Sequence, residues 1–234
     1  MANESPSVGP AYQTQGDWMQ DIGGGERASV HMGHQERRFT MDDLVDPQEI
    51  AALEHAFGPF PRQHYGLRVG SAHLEYWAAK ILHDRRGEVV LAVQRATKEV
   101  LIHTKVFYPP GVYRLPSGGV SWGEAVSDAL DREVYEETGF TTCDKQLLGL
   151  VTYDFQDDEW SVPFVSYVFL LTGIEGQPST HDEGERISDF RWVPVSELSA
   201  VAVTLRSLPE DLPDRRDWGR FRALVHEFVA LLVV

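Results

Sequence analysis

Cysteine and positive charge are both scarce in this chain, and each scarcity excludes something. The 234 residues hold one cysteine, Cys143, which rules out an internal disulfide framework and fits a reducing compartment. With no base close by in sequence, Cys143 reads as a small packing residue rather than a nucleophile. Only 21 Lys and Arg stand against 36 Asp and Glu, a net charge of -15. A phosphate backbone requires clustered basic residues, so no nucleic acid polymer is expected as a partner. Long apolar runs are missing too: the longest, residues 228–234, falls far short of the ~20 residues that span a bilayer. The first residues lack the basic, then apolar, then small-residue order of a secretory leader. The composition therefore predicts a cytoplasmic protein with no membrane association. The histidines form no pair at metal-ligand spacing.

Much of the negative charge falls in three places: residues 124–137, 154–159 and 182–189. The first is the most informative. Glu133, Glu136 and Glu137 are spaced i, i+3, i+4, which on a helix gathers them in one arc roughly 100° wide. Val126 and Ala129 share that arc and Leu130, Val134 and Ala125 border it, while Ser127, Asp128, Asp131 and Tyr135 fill the opposite side. The three carboxylates thus face inward among apolar residues. Such grouping repels, and removing a carboxylate from water costs several kcal/mol unless something positive compensates. Arg132, four residues before Glu136, offsets one of them. Crowded hard oxygen donors suit a divalent cation, Mg²⁺ or Mn²⁺. An acidic cleft of this kind would accept an anionic substrate only once a cation has reversed its local sign.

The run from Gly118 through Glu124, Arg132, Glu133, Val134, Glu136, Glu137 and Gly139 to Phe140 is G-x5-E-x7-R-E-U-x-E-E-x-G-U, with U a bulky aliphatic or aromatic residue. It resembles the signature of the Nudix hydrolases at every position. A chance match of this length in the chain has a probability on the order of 10⁻⁷. The resemblance implies a Mg²⁺-dependent pyrophosphohydrolase, with Mn²⁺ as a substitute, that cleaves a small-molecule nucleoside diphosphate linked to another moiety. It also implies that Glu133, Glu136 and Glu137 hold the metal, joined by a backbone carbonyl of Ser117 or Gly118. Glu133 or Glu137 would double as the base for the attacking water, and Glu124 would orient Arg132 from the positive end of the helix dipole. In relatives a late acidic loop completes the site, which makes Glu183, Glu185 and Asp189 candidates. Arg114, beside the glycine turn, is a candidate for the phosphates, and Tyr113 and Trp122 for stacking on a base.

The resemblance also supplies the architecture, an α/β/α sandwich with a mixed sheet between helices. Periodicity predicts strands over residues 75–82, 89–93, 100–106, 147–155, 164–172 and 190–193, the pair 147–155 and 164–172 being central. Helices are expected at 46–58, where Asp46, Pro47 and Glu49 read as N-cap, first-turn proline and capping box, and at 217–233. The implied organisation is a flexible tail over 1–38, an N-terminal helical extension over 39–70 and the Nudix domain over 71–234. The tail is a candidate for lying across a second copy of the chain in a homodimer.

Marker residues of four subclasses are missing: the NADH-pyrophosphatase array after Phe140, the coenzyme A motif before Gly118, the proline of many ADP-ribose pyrophosphatases, replaced by Gln156, and the tyrosine of many diadenosine-polyphosphate enzymes. A different class of protein on the same fold, an inactive sensor of a nucleotide-like ligand, would have lost box glutamates and would carry a basic winged helix. All box glutamates are present here, and the C-terminal part is short and acidic.

Overall fold

The computed structural model describes residues 39–141, 143–209 and 213–233. The tail expected over 1–38 lies outside them. In chain order the elements are α1 (Met41–Leu44), α2 (Pro47–Phe57), β1 (Arg62–Arg68), α3 (Ser71–His83), β2 (Arg85–Val93), β3 (Glu99–Lys105), β4 (Ser117–Ser121), α4 (Val126–Thr138), β5 (Asp144–Gln156), β6 (Ser161–Thr172), β7 (Ile187–Pro194), α5 (Leu198–Arg206) and α6 (Pro213–Leu232). Short 3₁₀ turns occur at Glu183–Glu185 and Val195–Glu197.

Five strands form a mixed sheet in the order β1-β5-β6-β2-β4, and β3 pairs with β7 in a separate two-stranded sheet. β6 runs parallel to β2 and antiparallel to β5, so the two most apolar strands occupy the middle, as expected of segments buried on both faces. Side chains alternate across this sheet. On one face Tyr153, Phe155 and Phe164 meet Trp77 of α3 and Phe221 of α6 in an aromatic cluster. On the other, Phe169 packs edge-on against Phe57 of α2, and Gly118 lies against Glu133 of α4. The sheet is therefore held between α1, α2 and α4 on one side and α3 and α6 on the other.

Three sequence expectations require correction. Residues 75–82, read as a strand, are helical in α3, because Leu74, Trp77 and Ile81 are all buried at the i, i+3, i+7 spacing of one helical face. Residues 62–68, assigned to the helical extension, form β1, an edge strand hydrogen-bonded in parallel to β5. The sheet thus begins before residue 71, and a boundary at that point would cut through it. Glu49 does not close a capping box on its own helix. Asp46 alone caps α2 by accepting from the Gln48 N–H at 2.8 Å, while Glu49 reaches out to α4. No helix among the described residues is long and apolar enough to cross a membrane. Cys143 is half-buried, packs against the core, and has its thiol pKa raised by burial, in keeping with a packing residue.

Candidate active site

Strand β4 delivers the chain to α4 through a turn that ends at Gly123, whose φ is +80°. Gly139, at φ +74°, closes the helix in the left-handed conformation. Both box glycines at the ends of the signature, Gly118 and Gly139, are required by geometry. A Cβ on Gly118 would lie 1.7 Å from the Glu133 carboxyl, and Gly139 occupies a backbone region open mainly to glycine. Gly118 is the cradle in which the Glu133 carboxylate rests.

The helix buries the predicted arc. Glu137 is wholly buried and Glu133 nearly so, while Ser127, Asp128, Asp131 and Tyr135 are exposed. Glu133 Oε1 accepts from Arg132 Nη1 at 2.6 Å, and Glu137 Oε1 accepts from Lys105 Nζ at 3.3 Å. The second oxygen of each, Oε2, is buried without a hydrogen-bond partner. Burial pushes the Glu133 carboxyl up to about 7 against the pull of Arg132, and the Glu137 carboxyl up to about 8 against Lys105 and Arg114. Glu136 departs from the expected trio. It is half-exposed and its Oε2 accepts from Arg132 Nη1 at 3.1 Å. Among the described residues no group of three or more His, Cys, Asp or Glu side chains is placed to hold a metal ion. The helix presents two inward carboxylates with orphaned oxygens, and a third engaged elsewhere.

Arg132 is the hub of the helix surface. Its Nε and Nη2 donate to Glu124 Oε1 and Oε2, both at 3.0 Å, and Nη2 also donates to the Gly119 carbonyl at 2.8 Å. Glu124 in turn accepts from the Ser121 N–H. Burial opposes its ionisation, but these bonds outweigh burial and hold the carboxyl below the usual range. Glu124 and Arg132 thus form a bidentate pair.

Other candidates land differently. Arg114 is buried and turned away from solvent. Its guanidinium donates to Tyr108 Oη at 2.7 Å, the Leu115 carbonyl at 2.7 Å and Ser117 Oγ at 2.9 Å, and lies 3.8 Å from Glu137. It braces the glycine turn from behind and offers no free fork to a phosphate. Tyr113 is buried, donates to Asp189 Oδ2 at 2.6 Å, and has Arg191 over its ring. Trp122 is exposed on its outer side, donates from Nε1 to the Ile81 carbonyl at 2.6 Å and leans on Phe39. Of the late acids, Glu183 is exposed and Asp189 serves Tyr113. Glu185 comes to the glutamates: Lys105 bridges it to Glu137. Burial opposes Glu185 ionisation, yet Lys105 holds its carboxyl below the usual range.

Behind the turn lies a network that sequence reasoning missed. Arg222 of α6 pairs with Glu88 of β2 at 2.7 Å, and Glu88 also accepts from Ser166 and from Ser117. Ser117 links this pair to Arg114, and through it to Glu137 and Lys105. His226, one turn beyond Arg222, accepts the Leu115 N–H on Nε2 at 2.9 Å and contacts the Arg222 carbonyl through Nδ1 at 2.7 Å. These two bonds fix the proton on Nδ1. The sequence did carry a signal for this network. Glu88 stands just ahead of the apolar run 89–93 of β2, and Arg222 and His226 interrupt the apolar face of α6 at i, i+4. A buried charge implies a buried partner.

The chain is similar to known proteins. A family model described as the NUDIX domain matches residues 78–214. The ADP-ribose pyrophosphatase of Methanocaldococcus jannaschii is 34% identical over 98 residues, 42% of this chain and 57% of that protein. The NAD-capped RNA hydrolase NudC of Haemophilus influenzae is 30% identical over 126 residues, 51% of this chain and 45% of the relative. The chain thus spans about half the length of these curated relatives. Among solved structures, a mutator MutT protein from Bacillus halodurans superposes with a TM-score of 0.43 at 21% identity, covering 61% of this chain and 80% of the other. With the complete signature folded into a strand, glycine turn and helix, and the family model matched across more than half its length, the chain belongs to the NUDIX family.

Proposed function

We propose that the protein is a divalent-metal-dependent hydrolase of the diphosphate linkage in a small nucleoside diphosphate derivative, acting by water attack on phosphorus. One observation carries this reading: two buried carboxylates, Glu133 and Glu137, each keep an oxygen without a partner, and that of Glu133 rests over Gly118, which leaves room only for the carboxyl itself. Two buried oxygens without partners are costly in isolation and favourable beside a cation. Glu133 and Glu137 would hold Mg²⁺ or Mn²⁺, joined by the carbonyl of Ser117 or Gly118. Glu136 and Glu185 would join only on leaving Arg132 and Lys105. When bound, the ion supplies charge neutralisation on the diphosphate and lowers the pKa of its water.

The chain's own groups do the rest. Glu133 or Glu137 takes the proton of the attacking water, each being a carboxylate within reach of a water on the bound ion. Arg132 keeps Glu133 in place while Glu124 keeps Arg132 in place. The names of the relatives support the substrate class, because ADP-ribose and an NAD cap each join a nucleoside to another group through a diphosphate. The marker residues of both subclasses are missing from this chain, so the test is a panel of nucleotide sugars, dinucleotides and nucleoside triphosphates with Mg²⁺ or Mn²⁺. Hydrolysis of at least one diphosphate-linked compound is expected, with Glu133→Gln lowering turnover on the order of 100-fold or more while the circular dichroism spectrum stays unchanged. A Glu133→Gln protein that turns over at near wild-type rate in saturating Mg²⁺ would refute the proposal.

A further inference from the structure

An arginine-lined cavity of about 660 Å³ opens on the α3/α6 side of the sheet, the face opposite the one on which α4 carries its glutamates. Arg68 at the end of β1, Arg206 at the end of α5, and Arg216 and Arg220 one turn apart on α6 line it, and among the described residues no acidic side chain does. In a chain with 36 acids against 21 bases, four arginines in one concave site are a local reversal of sign.

Their existing partners leave positive charge to spare. Arg216 and Arg220 share one oxygen of Asp217, at 3.1 and 3.5 Å, and that carboxylate is buried with its other oxygen accepting the Gly70 N–H at 2.8 Å. One carboxylate thus serves two guanidinium groups. Arg220 also donates to the Arg68 carbonyl at 3.0 Å, which fixes its direction. Among the described residues Arg68 pairs with the exposed Asp158 and Arg206 with the half-buried Glu227, and ion pairs open to solvent yield readily to a stronger anion. The wall at Gly70 is the N-cap of α3, whose dipole adds to the positive field. Guanidinium forks match the oxygens of a phosphate in pairs, and the volume lies within the range of small-molecule sites, about 300–1,000 Å³.

We propose that this cavity is a second ligand site, separate from the diphosphate-cleaving centre, for a small phosphate-bearing molecule. A polyanion is disfavoured by the net charge of -15 on the chain as a whole. The site does not depend on the hydrolase reading, and its test keeps the two apart. Full-length protein is titrated calorimetrically with inorganic phosphate and with AMP, in EDTA at constant ionic strength. One site per chain is expected. Arg206→Glu and Arg68→Glu, both at exposed side chains, should each weaken binding about tenfold or more, with Arg206→Lys recovering part of the loss. Glu133→Gln should bind as wild type. Melting temperature should rise with phosphate but not with equal ionic strength of chloride. Equal affinity for phosphate and AMP would identify the phosphate group alone as the determinant, and preference for AMP would identify a nucleotide; both support the site. Absence of binding by either probe at about 10 mM, binding indifferent to both charge reversals, or binding abolished by Glu133→Gln would overturn it.

Discussion

Gly118 shows how a single atom decides the chemistry of the site. Its missing Cβ leaves the space that the Glu133 carboxyl fills, and an added methyl would lie 1.7 Å from that group. Because the obstructed atoms are the end of a side chain rather than backbone, Gly118→Ala should fold and displace the carboxylate instead. Mg²⁺ affinity and turnover should fall roughly 10–100-fold while the urea midpoint moves little, and calorimetric Mg²⁺ titration beside a denaturation curve checks both. An unchanged metal affinity would show that Glu133 does not hold the ion. At this scale the sequence told which carboxylates share a helical arc, since 3.6-residue periodicity is local. It could not tell where Arg114 points. Adjacency to the glycine turn suggested a phosphate ligand, but the partners that draw its guanidinium inward, Ser117, Tyr108 and Glu137, are set by the turn's path and by α4.

Among the elements, α2 has a role that its place outside the matched NUDIX segment would not suggest. The first turn of α4 has no side-chain cap of its own. Glu49 of α2 accepts the Val126 N–H at 3.1 Å and pairs with Arg86 at 2.8 Å, and Arg86 in turn donates to the Glu124 and Leu44 carbonyls. The signature helix α4 is therefore anchored from the N-terminal segment. Glu49→Ala removes a cap and leaves a buried guanidinium short of its anion, so stability should drop by about 2–4 kcal/mol. Glu49→Gln, which keeps the acceptor, should recover part of the loss in chemical denaturation. A change below about 0.5 kcal/mol for Glu49→Ala would mean that the anchor is incidental. Elements with a strong local signal were legible: α2 from Asp46 and Pro47, α4 from its wheel, β5 and β6 from their aromatic and β-branched content. Those stabilised by neighbours were not. β1 is a mostly exposed, polar edge strand that exists because β5 offers it a ladder. β4, Ser-Gly-Gly-Val-Ser, has little strand propensity and is extended because β2 pairs with it. In α3 the adjacent Tyr76 and Trp77 resemble a strand until burial shows that Trp77 alone points fully inward.

Across the whole molecule, buried ionisable groups pull the stability in two directions as pH changes. Burial lowers His73 from 6.5 to about 4 and His226 to about 3, and drives His103 well below its ordinary value. A histidine whose folded pKa is depressed contributes stability above its unfolded value, and that contribution is lost as pH falls through 6.5. Between pH 6.5 and 4.5 the loss is roughly 2 kcal/mol for each of His73 and His226. Glu124 and Asp84, held below the carboxylate range, add to acid loss at lower pH. Glu133 and Glu137 act with the opposite sign. Their folded values, about 7 and about 8 against 4.5 unfolded, mean that the metal-free protein is strained by them at high pH and relieved as pH falls. In the wild-type protein without metal the two sets partly offset, which predicts a shallow stability profile from pH 6.5 to 4.5. Replacing both carboxylates, in Glu133→Gln/Glu137→Gln, removes the relief but keeps the histidine loss. The double variant should therefore lose stability more steeply on acidification, by roughly 2–4 kcal/mol over this interval relative to wild type, as measured by urea denaturation in EDTA at pH 6.5, 5.5 and 4.5. Parallel profiles would show that the two glutamates are already ionised throughout this range, and hence that something other than a bound cation compensates them in the fold.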